Sequence, residues 1–159
     1  MIDNICKFLK EKYLHSEKRF LGLDFGIINI GVAISDVSRT IASPYTMLKN
    51  KSYSALFPEI EKIVNEMDVG TIIIGLPLQM DGNVGDTAVK VHNFKDSLEE
   101  YFKTKGDIDI CLTDERLTSA ISEKMLIREF DLSRQKRKQI LDKVAASYIL
   151  QSVLDTMNF

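Results

Sequence analysis

The 159-residue chain contains no tryptophan, only three prolines and only two cysteines. Two cysteines cannot build the dense disulfide framework of a small secreted domain. Cys111 also stands in an apolar run, where a free thiol behaves as a small hydrophobe, so Cys6 and Cys111 are both read as reduced. No uninterrupted apolar run approaches the roughly 20 residues of a membrane span, so no transmembrane helix is expected. Asp3 and Glu11 interrupt residues 1 to 18 and leave no signal-peptide core there. His15 and His92 have no Cys or His at ligand spacing, which argues against zinc. An excess of charge of either sign is missing too: 21 Lys and Arg against 23 Asp and Glu leave a net charge of −2. Indiscriminate nucleic-acid binding is therefore not expected, and any such role must rest on a local patch.

What is present reads as one domain with a short extension. Residues 1 to 18 place Ile2, Ile5, Leu9 and Tyr13 near one helical face, predicting a short docking helix, and residues 19 to 159 form the main domain. Two apolar runs, Phe20 to Leu23 and Ile30 to Ile34, flank a segment with a glycine, Gly26, and an asparagine, Asn29, the signal of a β-hairpin. Thr40 to Leu48 supplies a third strand, with Pro44 marking an edge or a break. Ser52 is positioned to cap a helix in which Leu56, Ile60, Ile63, Val64 and Met67 recur at spacings of three and four. The β-branched run Val69 to Gly75 predicts a strand buried on both faces. After a loop with Asp-Gly turn chemistry, Asp86 is a candidate cap for a helix to about Lys105, and Ile108 to Leu112 gives a further strand. Ser119 to Arg128 reads as helix, Arg134 to Lys138 as a basic stretch, and Asp142 to Met157 as the last helix. Three antiparallel strands, then helix and strand twice, predict a mixed α/β sheet with helices on both faces, the order of a ribonuclease H-like fold.

Acids recur where such sheets carry their sites, beyond the carboxyl ends of parallel strands. Asp24 closes the first run, Asp114 and Glu115 follow a later strand, and Asp142 opens the last helix. Converging carboxylates repel one another, and a divalent cation relieves the repulsion. Magnesium suits hard oxygen donors, and two such ions about 4 Å apart support in-line cleavage of a phosphodiester. Each acid also has a structural explanation: Asp24 as a turn residue, Asp114 or Glu115 as a partner of Arg116, Asp142 as an acid favoured by a helix amino terminus. Arg134, Lys136, Arg137, Lys138 and Lys143 lie close in sequence to Asp142, where they could contact a phosphate backbone or form a solvated face.

Four blocks, taken together, resemble the YqgF family of Holliday junction resolvases and pre-16S ribosomal RNA nucleases over about residues 19 to 155. They are Leu23-Asp24-Phe25-Gly26 with Ile30 to Asp36, Gly75-Leu76-Pro77-Leu78-Gln79-Met80-Asp81-Gly82, Asp114-Glu115-Arg116-Leu117-Thr118-Ser119, and Asp142 to Ala146 with Ile149 to Ser152. The resemblance implies a ribonuclease H-like fold, a cytoplasmic setting and a Mg²⁺-dependent nuclease, with Mn²⁺ as the alternative ion. Its expected role is maturation of the end of pre-16S rRNA, with structured RNA or branched DNA as substrate and ribosomal particles as partners. By motif position, Asp24, Glu115 and Asp142 are the expected catalytic, metal-holding acids. Asp114 is an auxiliary ligand, and Arg116 orients a carboxylate or touches phosphate. Where the family commonly has a Lys-Arg pair after Asp-x-Gly, this chain has Ile28-Asn29, so phosphate contact beside the metal site is expected to be weaker. Resolution of four-way DNA junctions is the rival activity, and a non-catalytic RNA- or protein-binding module is the rival of another class.

Overall fold

The computed structural model describes residues 2–76, 85–114 and 134–158, the side chains of 2, 3, 134, 135 and 137–143 excepted. Five strands, β1 (Arg19–Phe25), β2 (Asn29–Ser35), β3 (Ala42–Lys49), β4 (Val69–Leu76) and β5 (Asp109–Asp114), form one sheet in the order β3-β2-β1-β4-β5. The first three are antiparallel neighbours, and β4 and β5 run parallel to β1. The helices among the described residues are α1 (Ile2–Lys12), α2 (Tyr53–Glu66), α3 (Asp86–Phe102) and α4 (Arg134–Met157). This is the mixed, ribonuclease H-like sheet that the order of elements predicts.

Alternation along the strands divides the core in two. Leu21, Leu23, Val32, Ile72, Ile74 and Leu112 face α2 and α3, which meet them with Leu56, Phe57, Ile60, Val91, Phe94 and Leu98. Phe20, Ala33 and Ile73 face the other way, under Leu9 and Tyr13 of α1 and Ala146, Ile149, Leu150 and Val153 of α4. β4 is buried along its whole length, which is why it reads in sequence as an unbroken apolar run.

Several boundaries differ from the sequence-based expectation. α4 begins at Arg134, so the basic stretch belongs to the helix instead of preceding it. Arg134 to Lys138 carries no apolar stripe by which sequence periodicity could have found that helical turn. Ser52 occupies the N-cap position of α2, but its side chain makes no capping hydrogen bond. Gly85 holds the corresponding position of α3, leaving Asp86 in the first turn, where its charge still complements the helix dipole. Pro44 lies in edge strand β3, where the ladder to β2 shifts register between Val32 and Ala33, as a residue without an N–H donor requires. The expected helix from Ser119 to Arg128 and the loop residues 77–84 lie outside the described residues.

One close approach fixes α4 against the sheet. A Cβ at Gly22 would stand 2.8 Å from Leu150 Cβ and 3.0 Å from the Ala146 carbonyl oxygen. Only glycine lets the backbone of α4 settle this near β1. The far end of α4 is pinned over β3, where Gln151 Oε1 accepts from the Ala42 N–H at 2.8 Å and its Nε2 donates to the Thr40 carbonyl at 2.9 Å. The helix therefore runs from the carboxyl end of β1 toward its amino end.

Candidate active site

Asp24 is the penultimate residue of β1, opposite Gly31 in the hairpin ladder, and is half-buried. It shares the parity of Phe20 and Gly22, so its side chain lies on the face covered by α4. Leu23 pairs with Ile74 and Gly75 with Thr113. Asp24 and Thr113 therefore stand at one level on either side of β4, about 10 Å apart at two strand spacings. Thr113 is 2% exposed, and its hydroxyl has no hydrogen-bond partner among the described residues. A buried hydroxyl in that condition costs about 1–3 kcal/mol, and it lies on the same face as Asp24.

The remaining predicted residues divide sharply. Asp114 pairs with Leu76 at the same edge, but its parity is that of Ile110 and Leu112, which places it on the α2 and α3 face, away from Asp24. Glu115 and Arg116 lie outside the described residues. Asp142 lies in α4, eight residues beyond the helix start. A helix amino terminus stabilises acids only within about its first turn, so the helix dipole does not account for Asp142. Its backbone stands one turn before Ala146, about 6 Å along the axis. Asp24 lies about 7 Å beyond Gly22 along β1, in that same direction. Of the basic residues, Lys136 is exposed on α4; the side chains of Arg134, Arg137, Lys138 and Lys143 are not among those described. Among the described residues no three His, Cys, Asp or Glu side chains form a metal-sized group. The donors that can be placed, the Asp24 carboxylate and the Thr113 hydroxyl, are hard oxygens of the kind magnesium prefers.

The loop beside Asp24 is braced by a residue that sequence reasoning missed. Asn50 donates through Nδ2 to the Gly26 carbonyl at 2.7 Å and through its backbone N–H to the Ile28 carbonyl at 2.8 Å. A Cβ at Gly26 would strike the carbonyl oxygen of Asn29, so the turn is tight as well as tied. Nothing in the sequence around Asn50 signals this, because the contact spans more than twenty residues.

The opposite end of the sheet holds a cleft of about 380 Å³, lined in part by Lys12, Tyr13, Lys18, Asp68 and Lys105. Its charges are matched from within. Lys12 meets Asp109 at 2.7 Å and Asp107 at 3.2 Å, Lys18 meets Asp68 at 3.0 Å, and Lys105 meets Glu61 at 3.6 Å. Burial, with the charge of Asp109 nearby, pushes the Tyr13 hydroxyl up to about 12. Outside that cleft, burial likewise pushes the half-buried Cys111 thiol up to about 11, which keeps it protonated and a poor nucleophile near neutral pH.

The profile of the RuvX family, described as Holliday junction resolvase, matches residues 18–156. The chain belongs to the RuvX family. It is 47% identical over 138 residues to a protein of Thermoanaerobacter pseudethanolicus named "Putative pre-16S rRNA nuclease", covering 87% of this chain and 96% of that one. A relative of the same name from Clostridium botulinum is 44% identical over 140 residues, covering 88% and 98%. Among solved structures, the chain is similar to Thermus thermophilus RuvC bound to a Holliday junction substrate, with TM-score 0.53, 9% identity and coverage of 88% and 96%. The yeast mitochondrial Holliday junction resolvase Ydc2 gives TM-score 0.52 at 10% identity, covering 98% of this chain and 87% of that one. At such identities these structures speak for the ribonuclease H-like fold alone. The family assignment makes the chain a nuclease by membership, and α1, apart from its own packing, lies before the matched residues.

Proposed function

We propose that the chain is a divalent-metal nuclease that hydrolyses phosphodiester bonds in structured nucleic acid, with Asp24, Glu115 and Asp142 as its metal-holding acids. The observation that carries this reading is the passage of α4 over Gly22, since it brings the backbone of Asp142 toward Asp24 at the carboxyl edge of the sheet. Asp114 faces away from Asp24, which favours Glu115 as the metal-holding member of the Asp114-Glu115 pair and leaves Asp114 the auxiliary role. Magnesium or manganese, when bound, would supply Lewis acidity toward the phosphoryl oxygens and lower the pKa of a coordinated water. The protein's own part is to hold the carboxylates on one rigid edge and to keep the site shaped. Arg116 would orient a carboxylate or touch phosphate, and the basic turns of α4 would track the backbone of the substrate.

The names of the relatives favour pre-16S rRNA as the substrate, and the same proposal has the chain act on the immature end of that RNA, within ribosomal particles and in the cytoplasm. The family description keeps four-way DNA junctions as the second reading. Purified protein incubated with either substrate in Mg²⁺ or Mn²⁺ separates the two. Asp24→Asn is expected to lower the rate by about 10³-fold, the equivalent of roughly 4 kcal/mol, with an unchanged Tm. Undiminished metal-dependent cleavage by that variant would overturn the assignment.

A further inference from the structure

At the tip of the β1–β2 hairpin stand two isoleucines, Ile27 at 65% and Ile28 at 60% exposure. Hairpin tips favour Gly, Asn and Asp, which tolerate tight turns and water. Neighbouring β-branched apolar side chains satisfy neither requirement, and the tip is held stiff by Asn50 and by the pinched Gly26. The conflict between local preference and outcome sits beside Asp24, where a functional cause is expected. A second feature lies across the ladder. Asn29 pairs with Lys49 and Gly31 with Met47 in the β2–β3 register, while Gly31 also pairs with Asp24. Lys49 therefore belongs to the same face as Asp24, about 12 Å away at two strand spacings and two residues of rise. It is exposed and makes no ion pair among the described residues. A positive charge thus stands one strand over from the tip.

We propose that the Ile27–Ile28 tip and Lys49 together hold one unstacked nucleotide of the substrate beside Asp24, the isoleucines against its base and Lys49 on its phosphate. Apolar side chains on a rigid protrusion are suited to enter an opened base step, and a lysine on a flexible stem is suited to a phosphate without reading sequence. This deepens the nuclease reading and rests on it for the identity of the ligand. It narrows the substrate to nucleic acid whose bases can leave the stack, as at a branch point or bulge, in preference to a continuous duplex. A basic residue flanking the tip favours a polyanion as the occupant over an apolar protein surface.

The test uses two probes, a four-way DNA junction with 2-aminopurine at the branch and an RNA hairpin with 2-aminopurine in a three-nucleotide bulge. Binding is followed in Ca²⁺ so that it can be scored apart from cleavage. The full chain is expected to raise the fluorescence of at least one probe as the base unstacks. Ile27→Ser with Ile28→Ser should abolish the rise and weaken binding roughly tenfold, with unchanged Tm. Lys49→Gln should keep the rise but reduce the slope of log K against log salt by about 0.7 to 0.9. If the double serine variant binds and brightens both probes like the parent, or if the parent brightens neither, the proposal is overturned; docking of the tip on a protein would give the first of these results. Isoleucine-dependent brightening without cleavage of either probe or of pre-16S rRNA in Mg²⁺ or Mn²⁺ would instead overturn the nuclease assignment and leave the nucleotide-holding tip standing.

Discussion

At the amino ends of β1, β4 and β5 the lysines and Arg39 find their partners within the protein itself, whereas at the carboxyl ends a lysine and two isoleucines are left exposed. Lys12, Lys18 and Lys105 each meet a carboxylate. Arg39 gathers the carbonyls of Tyr13 at 2.7 Å, Ser16 at 2.8 Å and Lys18 at 2.8 Å. It thereby closes the chain that leads from α1 into β1, with its guanidinium also over the Tyr13 and Phe20 rings. At the other end Ile27, Ile28 and Lys49 are exposed, while a buried hydroxyl without a partner among the described residues stands at each end, Thr71 at the amino and Thr113 at the carboxyl. The charges at one edge are matched within the fold, and the exposed groups at the other are placed to meet a ligand. Substitutions at the two ends should therefore separate stability from rate.

Asp24→Asn defines the extreme at the open end, a rate loss of about 10³-fold with little change in Tm. Arg39→Ala defines the reverse. It strips donors from four carbonyls, that of Val37 included, and should cost about 3 kcal/mol of stability, while cleavage per folded molecule stays at the parental level. Chemical denaturation with a parallel nuclease assay checks both halves. A rate loss exceeding the unfolded fraction would mean that the two ends are coupled.

Gly22→Ala lies between the two ends and should disturb both. The added methyl meets Leu150 Cβ at 2.8 Å and the Ala146 carbonyl at 3.0 Å, and overpacking of this kind costs about 1–3 kcal/mol. Relief requires α4 to move away from β1, and with it the turn carrying Asp142. A displacement near 1 Å at a reacting centre is worth up to about 10²-fold in rate. Gly22→Ala should thus lose activity well beyond its loss of stability, in contrast to Arg39→Ala. Equal losses in both would separate Asp142 from the site.

Much of this architecture is legible in the residues because burial leaves periodic traces. Val69 to Ile74 announces a strand with two covered faces, and Leu56, Ile60 and Ile63 announce a helix with one. The start of α4 left no such trace, since Arg134 to Lys138 is polar on every side. Arg39 was illegible for another reason: its partners at residues 13, 16 and 18 are joined to it only by the fold. For the candidate site, sequence order brought Asp24 and Asp114 to one edge, but only strand parity shows that Asp114 faces away from Asp24. Thr113 and Asn50 carry no motif, and their roles arise from the sheet register and the closure of the hairpin.

Tyr13 offers the smallest effect and the finest measure of how closed the amino end is. Its hydroxyl donates to the Gly70 carbonyl at 2.7 Å and lies 3.0 Å from Asp109 Oδ2. Tyr13→Phe should cost about 1 kcal/mol near neutral pH, the usual value of one such bond. The pH dependence is more telling. Burial raises the folded-state pKa from 10.0 to about 12, so the folded protein holds this proton more tightly than the unfolded chain does. That contribution is complete below pH 10 and is lost as pH rises from 10 through about 12. The parent should therefore lose Tm faster than Tyr13→Phe across this window, and the two curves should run parallel below it. Parallel curves through the whole alkaline range would show that water reaches the phenol, and the amino end would then be less sealed than its hydrogen bonds imply.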